Sequence, residues 1–541
     1  MGIGSLDEDA LHLILSHLNR ADAHRLSWTS RSLRVLAQQQ VLKDVTLSSS
    51  FHQVVAFCEY ILNDAPDLLQ LMRALRVQNL MKSPDQRIRM MPEHDHSAND
   101  LRRGAALLAD LLQQVPALHT FSLHYAEVWM HWEPRIVTAI SSMQHLKELE
   151  FTDIGPGVSD TLRTLQSNPT KLSLADVRGL QSVPHMWRMD PTGISLPSVR
   201  ILSAKVRYHL PGAPDLARIF PNAREVYFGD GSTPQFLVPS LGQLPEGERV
   251  PVVDWPSLEV VRGTGTGLKY WKNAHPIHCL ELLRPLGKND GSTFEMAGAG
   301  GPNAAWERED ALTAVRNLQP VVLLVTLSAR LGHRYLRSLF TTSRRLRYVS
   351  AGVWEVRRYQ TWLSDLVPWL SAFEEALQRL QGREIVCITI RFSILPEGHP
   401  LSEPMDSDPS TPKSYAGALE LVVYLLRQWA GDIPSLRYLS LEVRPASKDF
   451  RAGASTLGTA MPLASSQAHG TASVSNKLPR PGECESFWWK FGQDGTPRGG
   501  TPIPIAQGER IARFLCSPRY HWEENLDTQL NEDLSVRDSL H

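Results

Sequence analysis

Pro434–Val443 reads PSLRYLSLEV, with leucines at 436, 439 and 441. Apolar residues at the first, fourth and sixth positions fit a chain that leaves a turn and enters a short strand, because alternation over a few residues gives a strand one buried face. The same pattern recurs upstream. It is found as Leu118/Phe121/Leu123 in PALHTFSL, Leu146/Leu149/Phe151 in HLKELEF and Leu172/Leu174 in PTKLSL. It follows as Val199/Leu202/Ala204 in PSVRILSA and Ala223/Val226/Phe228 in PNAREVYF. Further instances are Leu258/Val261, Ile277/Leu280/Leu282, Val322/Val325/Leu327, Leu346/Val349 and Ile385/Ile388/Ile390. Between them lie helical periodicities, among them Leu107–Val115, Asp160–Gln166 and Ala416–Trp429. A short strand followed by a returning helix, repeated, predicts an α/β fold in which each unit buries its apolar face against the next.

The N-terminal stretch Ser5–Ala37 has another texture. Ser5 and Glu8 have capping-box spacing, and Leu11, Ile14, Leu15 and Leu18 recur at helical spacing. Asn19 or Asp22 can start a second helix carrying Leu26, and Thr29 or Ser30 a third carrying Leu33, Leu36, Ala37 and Val41. Helices this short cannot bury their apolar faces alone and must pack on one another and on a partner.

This stretch resembles the F-box, on Leu6, the acidic run Asp7–Asp9, Leu11, Ile14, Leu15, Leu18, Asp22, Leu26, Ser27 and the ending Arg31, Leu33, Arg34, Leu36 and Ala37. It departs from the family at Asp7, where proline is usual, and at Thr29, Ser30 and Leu33 near the third helix. The repeat region resembles the degenerate leucine-rich repeats of fungal F-box proteins, without their consensus asparagine. The resemblance implies a three-helix F-box followed by an irregular leucine-rich-repeat solenoid. It further implies a substrate-recognition subunit of an SCF-type cullin–RING ubiquitin ligase. Leu6, Leu11, Ile14, Leu15, Leu18, Asp22 and Leu26 would then bind the Skp adaptor, and the repeats an unknown protein client. The alternative is a leucine-rich-repeat interaction scaffold with no ubiquitin-ligase link.

The expected organisation is an F-box-like module at 1–45, a helical linker at 46–115 and repeats over 116–445, with a flexible loop insertion near 287–310. A low-complexity segment at 446–483 and a C-terminal segment at 484–541 with an acidic tail complete it; Leu395–Lys413, rich in proline, serine and aspartate, is a further insertion. FWWKF (487–491) and IARFL (511–515) carry enough bulk to dock back on the body.

Composition excludes several classes. Of 541 residues, 42% are hydrophobic and 21% charged, with a formal net charge of -1, so no overall field steers the chain to nucleic acid or an anionic membrane. Five scattered cysteines argue for a reducing compartment, cytoplasm or nucleus, rather than a disulfide framework. Neither a spanning apolar run nor a signal-peptide pattern occurs.

Catalytic, cofactor and metal patterns are absent too, and no enzyme is expected. Gly263, Gly265 and Gly267 lack phosphate-cradle spacing and predict a loop. His94, Asp95 and His96 lack a second ligand pair. Trp129, His131 and Trp132 follow a strand, where they pack on the next unit or form a binding surface. Arg330, Arg334 and Arg337 lie at helical spacing, followed by Arg344, Arg345, Arg347, Arg357 and Arg358. They are the candidate client-binding patch for an acidic or phosphorylated partner. Polar residues beside the strand positions, such as His119, His124, Lys147, Glu150, Arg200, Arg437 and Tyr438, form a second candidate surface.

Overall fold

A computed structural model describes residues 8–18, 20–29, 31–48, 50–78, 98–115, 117–175, 189–205, 213–228, 252–269, 271–286, 303–328, 331–354, 362–379, 384–394, 415–431, 433, 435–445, 485–492 and 500–538. The chain forms two compact units: the first takes in Met1–Tyr227 with Gly231–Ser240, the second Phe228–Asp230 with Leu241–His541. Both are mixed α/β, and their strands run mostly parallel.

The first unit begins with helices α1 (Glu8–His17), α2 (Arg20–Thr29) and α3 (Arg31–Lys43). Leu15, Ala23, Leu33 and Ala37 are buried among them. Helix α3 runs directly into β1 (Asp44–Leu47), which pairs in parallel with β2 (Ala74–Val77), and β2 with β3 (Thr120–Leu123). Next come β4 (Glu148–Thr152), β5 (Lys171–Ala175) and β6 (Ile201–Lys205), each parallel to its predecessor. Strand β7 (Glu225–Phe228) is next in order. Parallel neighbours require a crossover, and helices 51–59, 98–114, 135–142, 156–164 and 213–219 lie in those connections. Successive helices from 51–59 to 156–164 pack on one another. The pattern positions fill the space between strands and helices: Leu118, Phe121, Leu123, Leu146, Leu149, Phe151, Leu172, Leu174, Val199 and Leu202 are all buried.

Two of these strands fall where a helical linker is expected. Residues 46–115 contain β2 and the end of β1, and Leu42/Val45/Leu47 and Met72/Leu75/Val77 carry the same spacing as the later strands. Val45, Leu47, Met72, Leu75 and Val77 are buried, so the strand–helix pattern starts directly behind α3. Arg76 also pairs across the ladder with Asp44.

In the second unit, strands at Val260–Gly263, Cys279–Leu286, Val322–Ser328, Tyr348–Trp354, Cys387–Ile394 and Tyr438–Pro445 follow one another in parallel. Glu485–Lys490 then adds an antiparallel strand, and Thr501–Pro502 a last short one. Helices 303–318, 333–342, 362–378 and 415–431 follow the strands in the chain, neighbour against neighbour. Part of the segment expected as a loop at 287–310 is helical: Asn303–Leu318 is a helix. Ala304, Ala305, Glu307 and Arg308 favour helix, and Asp310 is fixed by Lys269 Nζ at 2.8 Å. Residues 287–302, 395–413 and 446–483 lie outside the described residues.

The opposite strand face of this unit is covered by the chain's own C-terminus. Helix Ile505–Leu515 and the following segment bring Ile511, Phe514, Leu515, Tyr520 and Leu526 onto Cys279, Val322, Tyr348, Cys387 and Tyr438, which stand side by side across five parallel strands, and onto Trp488. Polar contacts fasten it: Tyr438 donates to Asp527 at 3.1 Å, and the His278 ring lies 2.7 Å from the Leu515 carbonyl. The acidic tail is a helix, Leu526–Asp538, with Asp527 near Lys490 and Asp533 near Arg519.

Candidate functional site

Short amphipathic helices bury what their mutual packing can reach and leave the rest in water. In the N-terminal module Leu15 is the inward residue at 2% exposure, whereas Leu11, Leu18 and Leu26 are half-buried and Ile14 is exposed. Asp22 is held by Arg25 at 2.9 Å on the helix surface, and Leu6 lies outside the described residues. The expected adaptor face is therefore divided: Leu15 belongs to the core. Two large residues that were not expected are exposed instead, Leu13 at 63% and Trp28 at 81%. The signal for Trp28 was an aromatic one turn beyond His24, away from the Ala23/Ser27 face; the two rings meet edge-on at 5.4 Å.

The strand face of the first unit carries polar residues. Ser122 donates to Glu150 at 3.0 Å, Lys171 lies 3.4 Å from Glu148, and the His119 ring stacks on His145. Burial lowers the pKa of His124. At the other end of the strands Glu127 is buried, with both carboxylate oxygens accepting from the first backbone N–H groups of helix 156–164, Gly157 at 3.1 Å and Val158 at 2.8 Å. Burial pushes Glu127 up to about 7, outweighing those bonds. An acid whose pKa is raised by folding contributes full stability below its unfolded value, and loses that contribution as pH rises through the folded one. Glu127→Gln, which stays neutral but has only one acceptor oxygen, should melt below the wild type near pH 4.5. That gap should close as pH rises through about 7, as followed by circular dichroism.

Trp129 packs fully buried with its ring 5.4 Å from that of Phe51, and Trp132 lies under Arg102 at 4.2 Å, leaving only His131 of that trio exposed. In the second unit, Arg334 and Arg337 are exposed on helix His333–Thr342, and Arg344 is exposed beyond it. Arg345 and Arg347 face elsewhere, over the Trp522 ring at 5.5 and 4.8 Å. Arg330, Arg357 and Arg358 lie outside the described residues. The basic run is thus divided between a solvated helix and a docking contact for the C-terminal segment. Tyr438, expected on an open binding face, is buried beneath that segment, and Arg437 beside it is half-buried.

Partly buried charges lie further along the same strands. Arg262 Nε lies 3.2 Å from Glu281, and Arg391 Nε 3.2 Å from Glu442. Burial opposes the charge on Arg391, but Glu442, Tyr348, Cys516 and Glu281 together outweigh it and raise its pKa; burial raises that of Glu281. The glycines at 263–267 open a one-turn helix, Gly265–Leu268, capped by Thr264, whose hydroxyl accepts from Gly267 N at 3.1 Å. Gly265 is there for contact: a methyl group on it would come within 2.9 Å of the Ala311 nitrogen. Among the described residues no group of three His, Cys, Asp or Glu side chains is placed to hold a metal ion. His94–His96 lie outside them. Among them too, no helix is long and apolar enough to cross a membrane.

No protein-family model matches the chain. No curated protein matches it either. Among solved structures, one described as "Crystal structure of Rad7 and Elc1 complex in yeast" is similar over 74% of this chain and 91% of that chain, at 10% sequence identity and a TM-score of 0.23.

Proposed function

We propose that the chain is a non-enzymatic substrate-recognition subunit of an SCF-type cullin–RING ubiquitin ligase. Its N-terminal helices are an F-box that docks the Skp adaptor. Its strand–helix units are a degenerate leucine-rich-repeat solenoid that holds a protein client. The observation that carries this reading is the F-box-like pattern of Leu6–Ala37 together with the large apolar side chains its helices leave in water, Leu13, Ile14 and Trp28. Exposed aromatic and aliphatic side chains of this kind supply the anchors of protein interfaces.

The test is adaptor binding by calorimetry with the full chain. Ile14→Asp combined with Trp28→Asp should weaken binding by at least about 100-fold, since truncating one interface anchor alone costs about 2 kcal/mol or more. Both positions are exposed, so the melting temperature should not move. Leu15→Asp should lower the melting temperature instead, because Leu15 is buried inside the module. A truncation control has to stop before Asp44, where β1 begins. Wild-type protein that ignores the adaptor would leave the second reading, a repeat scaffold without a ligase link, supported by the same strand–helix units.

A further inference from the structure

The residue before each strand of the first unit occupies one continuous line. Its backbone N–H donates to the carbonyl of the equivalent residue one strand earlier: Arg73 to Lys43 at 3.0 Å, His119 to Arg73, Lys147 to His119, Thr170 to Lys147, Arg200 to Thr170 and Arg224 to Arg200, each at 2.8 Å. These positions therefore repeat at the strand spacing of about 4.8 Å and span about 29 Å.

Five of the seven are lysine or arginine, one is histidine and none is acidic. All but half-buried His119 are exposed. Arg73 and Arg200 donate to main-chain carbonyls, of Gln70 at 2.8 Å and Asn222 at 3.0 Å, which orients the guanidinium groups without neutralising them. Among the described residues neither they nor Lys43 and Lys147 have a carboxylate partner. The next line along the strands behaves differently: Asp44 pairs with Arg76, and Lys171 with Glu148.

The fold does not demand this charge. In the second unit the equivalent line runs Glu259, His278, Val321, Arg347, Val386 and Arg437, and its members contact the C-terminal segment at His278 and Arg347.

We propose that the first unit binds an extended acidic segment of a partner protein along Lys43, Arg73, Lys147 and Arg200. Opposite charge and linearity both favour this occupant. The cations are spread along the line beside separate strands, with His119 and Thr170 between them, and do not converge, so they match carboxylates distributed along a chain and not one phosphate group. An extended chain rises about 3.3 Å per residue, so some nine residues cover the line. The chain's own acidic tail is engaged at Lys490 and Arg519 in the second unit. The inference rests on the proposed function only in calling this partner a client; binding to the line requires no adaptor.

The experiment is fluorescence anisotropy on the full chain, with a labelled peptide of about ten residues alternating Glu and Ser. The controls are the same peptide with Gln for Glu, and a single-stranded oligonucleotide of equal charge. The Glu peptide should bind, the Gln peptide should not, and binding should weaken about tenfold or more between about 50 and 200 mM salt, as exposed charges are screened. Lys147→Glu with Arg200→Glu should abolish it at unchanged melting temperature, Lys147→Gln with Arg200→Gln should weaken it less, and Arg334→Glu with Arg337→Glu should leave it intact. Equal binding of the Glu and Gln peptides, indifference to the Lys147/Arg200 reversal, or tighter binding of the oligonucleotide would each overturn the proposal. An adaptor that binds while the peptide does not would sink this inference alone; the reverse would sink the ligase reading alone.

Discussion

Gly508→Leu should release the C-terminal segment and leave the second unit unable to hold its fold. Gly508 is buried where helix Ile505–Leu515 crosses the strand Glu485–Lys490, and any Cβ there would overlap the Trp488 indole. Trp488 is itself buried in the cluster built by Tyr348, Tyr438, Phe514 and Leu515. The ring cannot move aside without opening that cluster, and the helix cannot move out without exposing Ile511 and Phe514. Overpacking costs about 1–3 kcal/mol when neighbours can yield, and more when they cannot. Phe514→Ala removes the same contact from the other side and should cost about 3–5 kcal/mol. Cys387 gives a readout: it is buried in this cluster, and burial holds its thiol well above the ordinary pKa. Maleimide labelling of Cys387 should be slow in the wild type and fast in Gly508→Leu. Equal labelling rates would show that the segment does not close this face.

Arg391→Leu should destabilise the second unit by about 3 kcal/mol, the lower end of the range for breaking a buried pair, because the site keeps some contact with solvent. The substitution removes the cation 3.2 Å from Glu442, and leaves the Glu281 carboxylate, whose pKa is already raised by burial, with Arg262 but without the second cation that offsets that burial. The sign of the pH response follows. Without Arg391 the Glu281 carboxyl is pushed higher still, so the variant should lose most stability as pH rises through the carboxylate range and least at acid pH. Replacing the pair together, Arg391→Met with Glu442→Leu, should recover much of the loss, since two apolar groups of similar volume leave no uncompensated charge. Urea melts of the three variants at two pH values decide it; a single and a double variant of equal stability would mean that the pair is not coupled.

The strands were legible because three apolar positions in six suffice to mark a short buried strand, and PSLRYLSLEV and PALHTFSL show nothing else. The same spacing at Leu42/Val45/Leu47 and Met72/Leu75/Val77 was hidden by what precedes it. Leu42 ends a helix, and Met72 follows a tight 3₁₀ turn at Pro66–Leu71. The helical period upstream therefore masks the strand period. Exposure was less legible. Leu15 and Ile14 are neighbours of equal hydrophobicity, and only the packing of three helices makes one core and the other surface. The arginines of 330–347 share a periodicity, yet a tryptophan from 522 draws Arg345 and Arg347 away from Arg334 and Arg337. That Ile511, Phe514 and Leu515 would return to the body could be read from their bulk. That they would cover Tyr438 could not, because nothing local to either segment encodes a pairing across so much chain.

A stack whose strands each pair with the next in one direction has no intrinsic stopping point, and its last strand presents a row of open backbone groups to any passing chain. After Tyr438–Pro445 the second unit reverses direction, and its final strand is two residues long, with Pro502 opposite Trp489. Proline has no N–H to offer, and so brief a strand gives a stranger almost nothing to zip onto. The same C-terminal segment that shields the strand face thus also caps this edge, and makes it a poor template for pairing with another copy of the chain.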